Sequence, residues 1–76
     1  MPGTTSPWRV NDVVAYDRMR ETAVTVYALL HAASQRDELA RLRRQVLTVD
    51  AYDRAAVSAL TARLDRRLRE LSAATA

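Results

Sequence analysis

The sequence predicts an all-α fold: a small three-helix arrangement built on an antiparallel helical hairpin and completed by self-association. Three observations carry that expectation. The single Gly and both Pro residues (Pro2, Gly3 and Pro7) fall within the first seven positions. Nothing from Trp8 to Ala76 therefore breaks a helix by itself. Apolar residues recur at three- and four-residue spacing through most of that span. Acidic residues gather where helices would begin and arginines where they would end, the polarity a helix macrodipole favours.

At 76 residues the chain makes one domain at most. A domain this small buries only about 60% of its unfolded surface, so a partner adds stability it otherwise lacks. Cysteine is absent, which removes disulfides and thiolate metal sites together and fits a reducing cytoplasm. The net charge of +3 comes from twelve arginines, no lysine and nine acids. Arg-only, Ala-rich usage reads first as coding bias. The basic excess permits nucleic-acid or acidic-protein binding without requiring it. The apolar run Ala23–Ala33 is too short to span a bilayer, and the acids Asp12, Asp17 and Glu21 before it do not suit a signal peptide. It predicts a buried helix in a cytoplasmic protein.

Residues 1–7 read as a flexible leader, residues 8–72 as the helical domain and residues 73–76 as a frayed tail. Ser6-Pro7 is one possible helix start and Asn11 a later one. Trp8, the only tryptophan, is either a clasp over the helix end or an exposed anchor for a partner. The first helix is expected over about residues 12–33. It carries one apolar stripe of Val13, Tyr16, Ala23, Val24, Tyr27 and Leu30, and a second of Met19, Val26, Leu29 and Ala33. Two stripes call for cover on two sides, and a second copy of the chain is the simplest second cover. Trp8, Met19, Val26, Leu29 and Ala33 are thus the candidate interface.

Ser34 marks a break, with Ser34-Gln35-Arg36-Asp37 in the form of a capping box. An uninterrupted helix from residue 12 to 47 is the rival. The second helix covers about residues 35–47, with Leu39, Leu42 and Val46 on one face. After a turn at Leu47–Asp50, in which Thr48 or Asp50 serves as cap, the third covers about residues 50–72. Its ridge is Tyr52, Ala56, Leu60, Leu64, Leu68 and Leu71, with Val57 beside it. The order helix, Leu-Thr-x-Asp-x-Tyr, helix resembles short helical hairpins that serve bacterial proteins as oligomerisation modules. It covers only Ser34–Leu71 and assigns no family.

Asp37–Arg41, Asp50–Arg54, Asp65–Arg69 and Arg66–Glu70 have the spacing of intrahelical ion pairs. Removing them leaves Arg36, Arg43, Arg44, Arg63 and Arg67 as the candidate basic surface. Helical rise separates Arg43 and Arg44 from Arg63 and Arg67, so one chain does not gather them into a patch.

The chemistry that is missing is as informative. The lone His31 builds no multi-histidine metal site, no Gly-rich loop follows residue 3, and Ser34, Ser58 and Ser72 have no histidine–acid companions. No catalytic, cofactor-binding or metal residue is expected. The preferred expectation is a non-enzymatic protein–protein interaction module, a small regulator, adaptor or accessory subunit. It would act through an apolar helix face, as a homo-oligomer (a dimer first) with an unidentified protein partner. The alternative is a nucleic-acid-binding regulator or antitoxin-like protein using arginines of two chains. More remote is an enzyme of the helical chorismate-mutase kind, its pocket lined by Arg41, Arg44, Arg63 and the partner's Arg18.

Overall fold

The computed structural model describes the backbone of residues 7–75 and the side chains of residues 12–74. Three helices, α1 (Pro7–Ala32), α2 (Arg36–Thr48) and α3 (Arg54–Thr75), form a small all-α bundle. Asp12 of α1 meets Arg54 of α3 near the start of both, so these helices run parallel. Glu38 meets Arg67 and Gln45 meets Arg63, so α2 runs antiparallel to α3. The expected hairpin is present. Yet α1 makes closer backbone contact with α3 and α2 than those two make with each other. The central element is the first helix.

Helix α1 begins earlier than expected, with Pro7 in its first turn, where a missing N–H costs nothing. Asn11 therefore lies within the helix and not at its start. The Ser6 cap lies outside the described residues, as does the Trp8 side chain. The helix ends by a different device from the one expected. Ser34 has φ of 59°. Its N–H donates to the His31 carbonyl at 3.0 Å, and the Gln35 N–H donates to the Leu30 carbonyl at 2.9 Å. That is a Schellman closure with Ser34 in the left-handed position usually held by glycine. Ser34 thus ends α1 instead of capping α2. Gln35 stands at the cap of α2 and makes no side-chain cap bond, so the capping box does not form.

The second turn is also longer than expected. Thr48 Oγ1 donates back to the Arg44 carbonyl at 2.8 Å, which keeps it in α2 and unavailable as a cap. Asp50 Oδ1 accepts the Tyr52 N–H at 2.9 Å in an Asx turn. Asp53 Oδ1 then accepts the Ala56 N–H at 3.0 Å, three residues on, and is the N-cap of α3. The third helix therefore starts at Arg54, not residue 50, and continues to Thr75, through most of the tail expected to fray. Tyr52, placed on its ridge by spacing, stands before the helix and is 68% exposed.

The core joins Met19, Ala23, Val26 and Leu30 of α1 to Val46 of α2 and Val57, Leu60, Leu64 and Leu71 of α3. Both long helices present residues in steps of three and four, so two parallel stripes interlock. Val57 belongs to the centre of the α3 ridge and Ala56 to its edge. Helix α2 has 13 residues against 26 in α1, about 20 Å against 39 Å, and so covers only half its length. No helix among the described residues is long and apolar enough to cross a membrane.

Candidate functional site

The expected interface does not survive as a surface. Met19 and Val26 are fully buried within the chain, and Leu29 is half-buried against the same core. The intrachain core takes Met19 and Val26 from the second stripe of α1 and Ala23 and Leu30 from the first, because α1 is central and both its neighbours come from its own chain. Ala33 is exposed beside the Ser34 turn. What α1 does leave open is a different line of residues: Val14, Asp17, Glu21, Val24 and Ala28, all exposed. Their spacing of three, four, three and four places them on one strip, opposite Met19, Ala23, Val26 and Leu30 at 100° per residue. Val14 is 53% and Val24 63% exposed, with apolar side chains at either end of an acidic centre. Arg18 and Arg20 flank that centre, one on each side. Across the α1–α2 cleft from Val24 stands Leu47, 80% exposed.

Two arginines pack over tyrosine rings on this side of the molecule. The Arg20 guanidinium lies 5.9 Å from the Tyr16 ring centre and that of Arg43 6.0 Å from Tyr27. Both sit at the outer limit of a cation–π contact. Burial holds the Tyr27 phenol above its usual pKa, with Arg43 and then Arg20 pulling the other way.

Charge is arranged differently from the intrahelical pattern that spacing suggests. Among the described residues the ion pairs are Arg54–Asp12 at 2.8 Å, Arg67–Glu38 at 2.7 Å and Arg67–Glu70 at 3.2 Å. Asp37–Arg41, Asp50–Arg54, Asp65–Arg69 and Arg66–Glu70 do not form. Arg54 turns instead to Asp12, a carboxylate only 2% exposed whose Oδ2 has no hydrogen-bond partner among the described residues. The dipole pattern holds only in part: α2 opens with Asp37 and Glu38 and Asp53 caps α3, but α1 and α3 have no acid in the first turn and α2 and α3 no base in the last.

Arg67 leaves the basic surface altogether. Its Nε and Nη2 donate to the two oxygens of Glu38 at 2.7 and 2.8 Å, a forked pair, while Nη1 donates to Glu70. The bonds to Glu38 raise the Arg67 pKa above its ordinary value, against the opposing effect of burial. Arg63 is also engaged, donating Nη2–H to Gln45 Oε1 at 2.9 Å. Arg36 and Arg44 are exposed on α2.

With Glu70 and Asp37 committed elsewhere or unengaged, Arg41 and Arg66 are released. They line one groove between α2 and α3 of about 300 Å³, together with Arg63, Arg67, Glu38, Leu42, Gln45 and Glu70. The remote pocket reading named Arg41 and Arg63, which do meet there, but Arg44 does not join them. Sequence spacing missed Arg66, because a nominal Glu70 partner four residues away masked it.

No protein-family model, no curated protein and no solved structure matches this chain.

Proposed function

We propose that this chain is a non-enzymatic interaction module that associates with a second copy of itself along the outward strip of α1. The observation that carries the proposal is the strip itself: Val14, Asp17, Glu21, Val24 and Ala28, exposed at heptad spacing on a helix that α2 covers over half its length. The strip is self-complementary in charge. In an antiparallel pairing, the Arg18 and Arg20 flanks of one copy face the Asp17–Glu21 centre of the other. A regulator role through protein contacts fits this surface; so does an accessory subunit.

The nucleic-acid alternative draws less from the geometry. Duplex binders commonly neutralise about 6–10 phosphates on one face. Here Arg18 and Arg54 flank the α1–α3 groove, Arg20 and Arg43 the α1–α2 cleft, and Arg41, Arg63 and Arg66 the α2–α3 groove.

Light scattering on a size-exclusion column tests the proposal. The native chain is expected at twice its 8.5 kDa mass at micromolar concentration. Val24→Glu is expected at 8.5 kDa with unchanged helical circular dichroism, because Val24 is 63% exposed within the chain. A native monomer, or a dimer indifferent to Val24→Glu, overturns the strip as the interface.

A further inference from the structure

We infer that the groove between α2 and α3 is a binding site for a phosphate monoester dianion carried on a small organic body. It is separate from the self-association strip, with which it shares no residue. Four arginines and two glutamates line it, a net charge of +2. Two of the arginines are already oriented. The Glu38–Arg67–Glu70 cluster closes one end, and Gln45 holds Arg63 at the other. Arg41 from α2 and Arg66 from α3 face the space between, and neither makes a hydrogen bond or ion pair within the described chain. The groove therefore has positive charge on both walls, an oriented guanidinium at the Arg63 end and a neutralised guanidinium–carboxylate cluster at the other.

The ligand class follows from charge and size. A phosphate monoester carries about −1.5 to −2 at neutral pH and three strong acceptor oxygens. It neutralises the groove, whereas a phosphodiester or a single carboxylate supplies half that charge. Guanidinium forks match the phosphate oxygens in pairs. The volume of about 300 Å³ is the lower end of small-molecule sites. Arg63 and Arg66 are three residues apart, about one helical turn, so the charge is concentrated instead of drawn out along a polymer track. Leu42 adds an apolar surface on the α2 wall, against which the organic body of an ester packs.

The test is a titration of the ¹⁵N-labelled full chain followed by amide and arginine side-chain shifts. Phenyl phosphate is the monoester probe, with inorganic phosphate, dimethyl phosphate, succinate and a short DNA duplex as comparisons. Phenyl phosphate is expected to shift residues around Arg41, Leu42, Arg63 and Arg66, and to bind more tightly than dimethyl phosphate or succinate. Arg41→Gln and Arg66→Gln are each expected to weaken it about tenfold or more, the size of one charge-assisted hydrogen bond. Both side chains are exposed and unengaged, so the variants keep the fold. Arg44→Gln, outside the groove, is expected to leave binding unchanged. Tighter binding of phenyl phosphate than of inorganic phosphate supports an organic ester. Equal binding of the two overturns that part and assigns the groove to free phosphate. Shifts spread over Arg18, Arg20 and Arg44, succinate binding as tight as the monoester, or a duplex preferred over it and weakened by Arg44→Gln would each overturn the site. So would no binding at all.

Discussion

Helix α3 faces two neighbours, and it meets them by opposite means. Toward α1 it offers Val57, Leu60, Leu64 and Leu71 to a stripe that includes Ala23, whose small side chain lets two backbones come close. Toward α2 it offers Arg63 and Arg67, which reach across to Gln45 and Glu38. Long polar side chains hold two helices farther apart and leave a groove between them. Each fully buried aliphatic side chain on the first seam contributes about 1.5–3 kcal/mol. A half-exposed ion pair on the second contributes about 0–1 kcal/mol. The α1–α3 seam is thus where the fold is held, and the α2–α3 seam is where side-chain chemistry stays accessible.

The largest expected effect breaks the first seam. Leu64 is fully buried, and Leu64→Ala should cost about 2–5 kcal/mol through lost transfer energy and the cavity left behind. Against the roughly 5–15 kcal/mol of a whole domain, that brings so small a chain close to unfolding. Urea melts followed by circular dichroism measure it. A loss below about 1 kcal/mol would mean that the seam is not the main source of stability.

How much of this contrast was legible in the sequence depends on how local the signal is. The fold class was legible, because confinement of Gly and Pro to the first seven residues and the three–four apolar spacing are both local facts. The break near residue 34 was legible too, but its mechanism was not. Ser is a common N-cap and an uncommon left-handed residue, so spacing points to the wrong one of its two uses. The two apolar stripes of α1 were right only in part. Met19, Ala23, Val26 and Leu30, two from each, are covered by α2 and α3, because a central helix in a three-helix bundle touches both others, whereas Val13, Val24 and Ala33 stay exposed. The arginine groove was hidden for an electrostatic reason. Intrahelical pairs at i, i+4 are worth only about 0.3–0.5 kcal/mol, and other partners displace them: Glu70 pairs with Arg67, and Arg54 reaches across to Asp12. Pairing charges along the sequence therefore discards Arg41 and Arg66, the two groove arginines that make no hydrogen bond or ion pair among the described residues.

A second variant probes the end of the first seam, where the contrast blurs. Asp12 lies seven residues before Met19, on the same stripe, and only Arg54 answers its charge among the described residues. A polar group at such a position fixes which residues of two parallel helices stand side by side. Arg54→Ala leaves a buried carboxylate without its partner and should cost about 1–3 kcal/mol. Adding Asp12→Leu should return most of that loss, since replacing both partners by apolar groups removes the desolvated charge itself. The same melts compare the single and double variants. A double variant no more stable than Arg54→Ala would show that the pair adds packing and not only charge.

The smallest expected effect lies on the second seam, and it sharpens the comparison because the contact looks the strongest on paper. Arg67 makes hydrogen bonds as short as 2.7 Å and touches two carboxylates. Its own side chain is nevertheless 31% exposed, Glu38 is 26% and Glu70 is 54% exposed, so water takes over each carboxylate when the guanidinium is removed. The methionine in Arg67→Met keeps the aliphatic stem that covers the groove wall. The cost should therefore stay within about 0–1 kcal/mol. Melts in low salt and in about 1 M salt, where the screening length falls to about 3 Å, should show whatever difference exists shrinking. A loss as large as that of Leu64→Ala would erase the distinction between the two seams and make the ion-paired face part of what holds the bundle together.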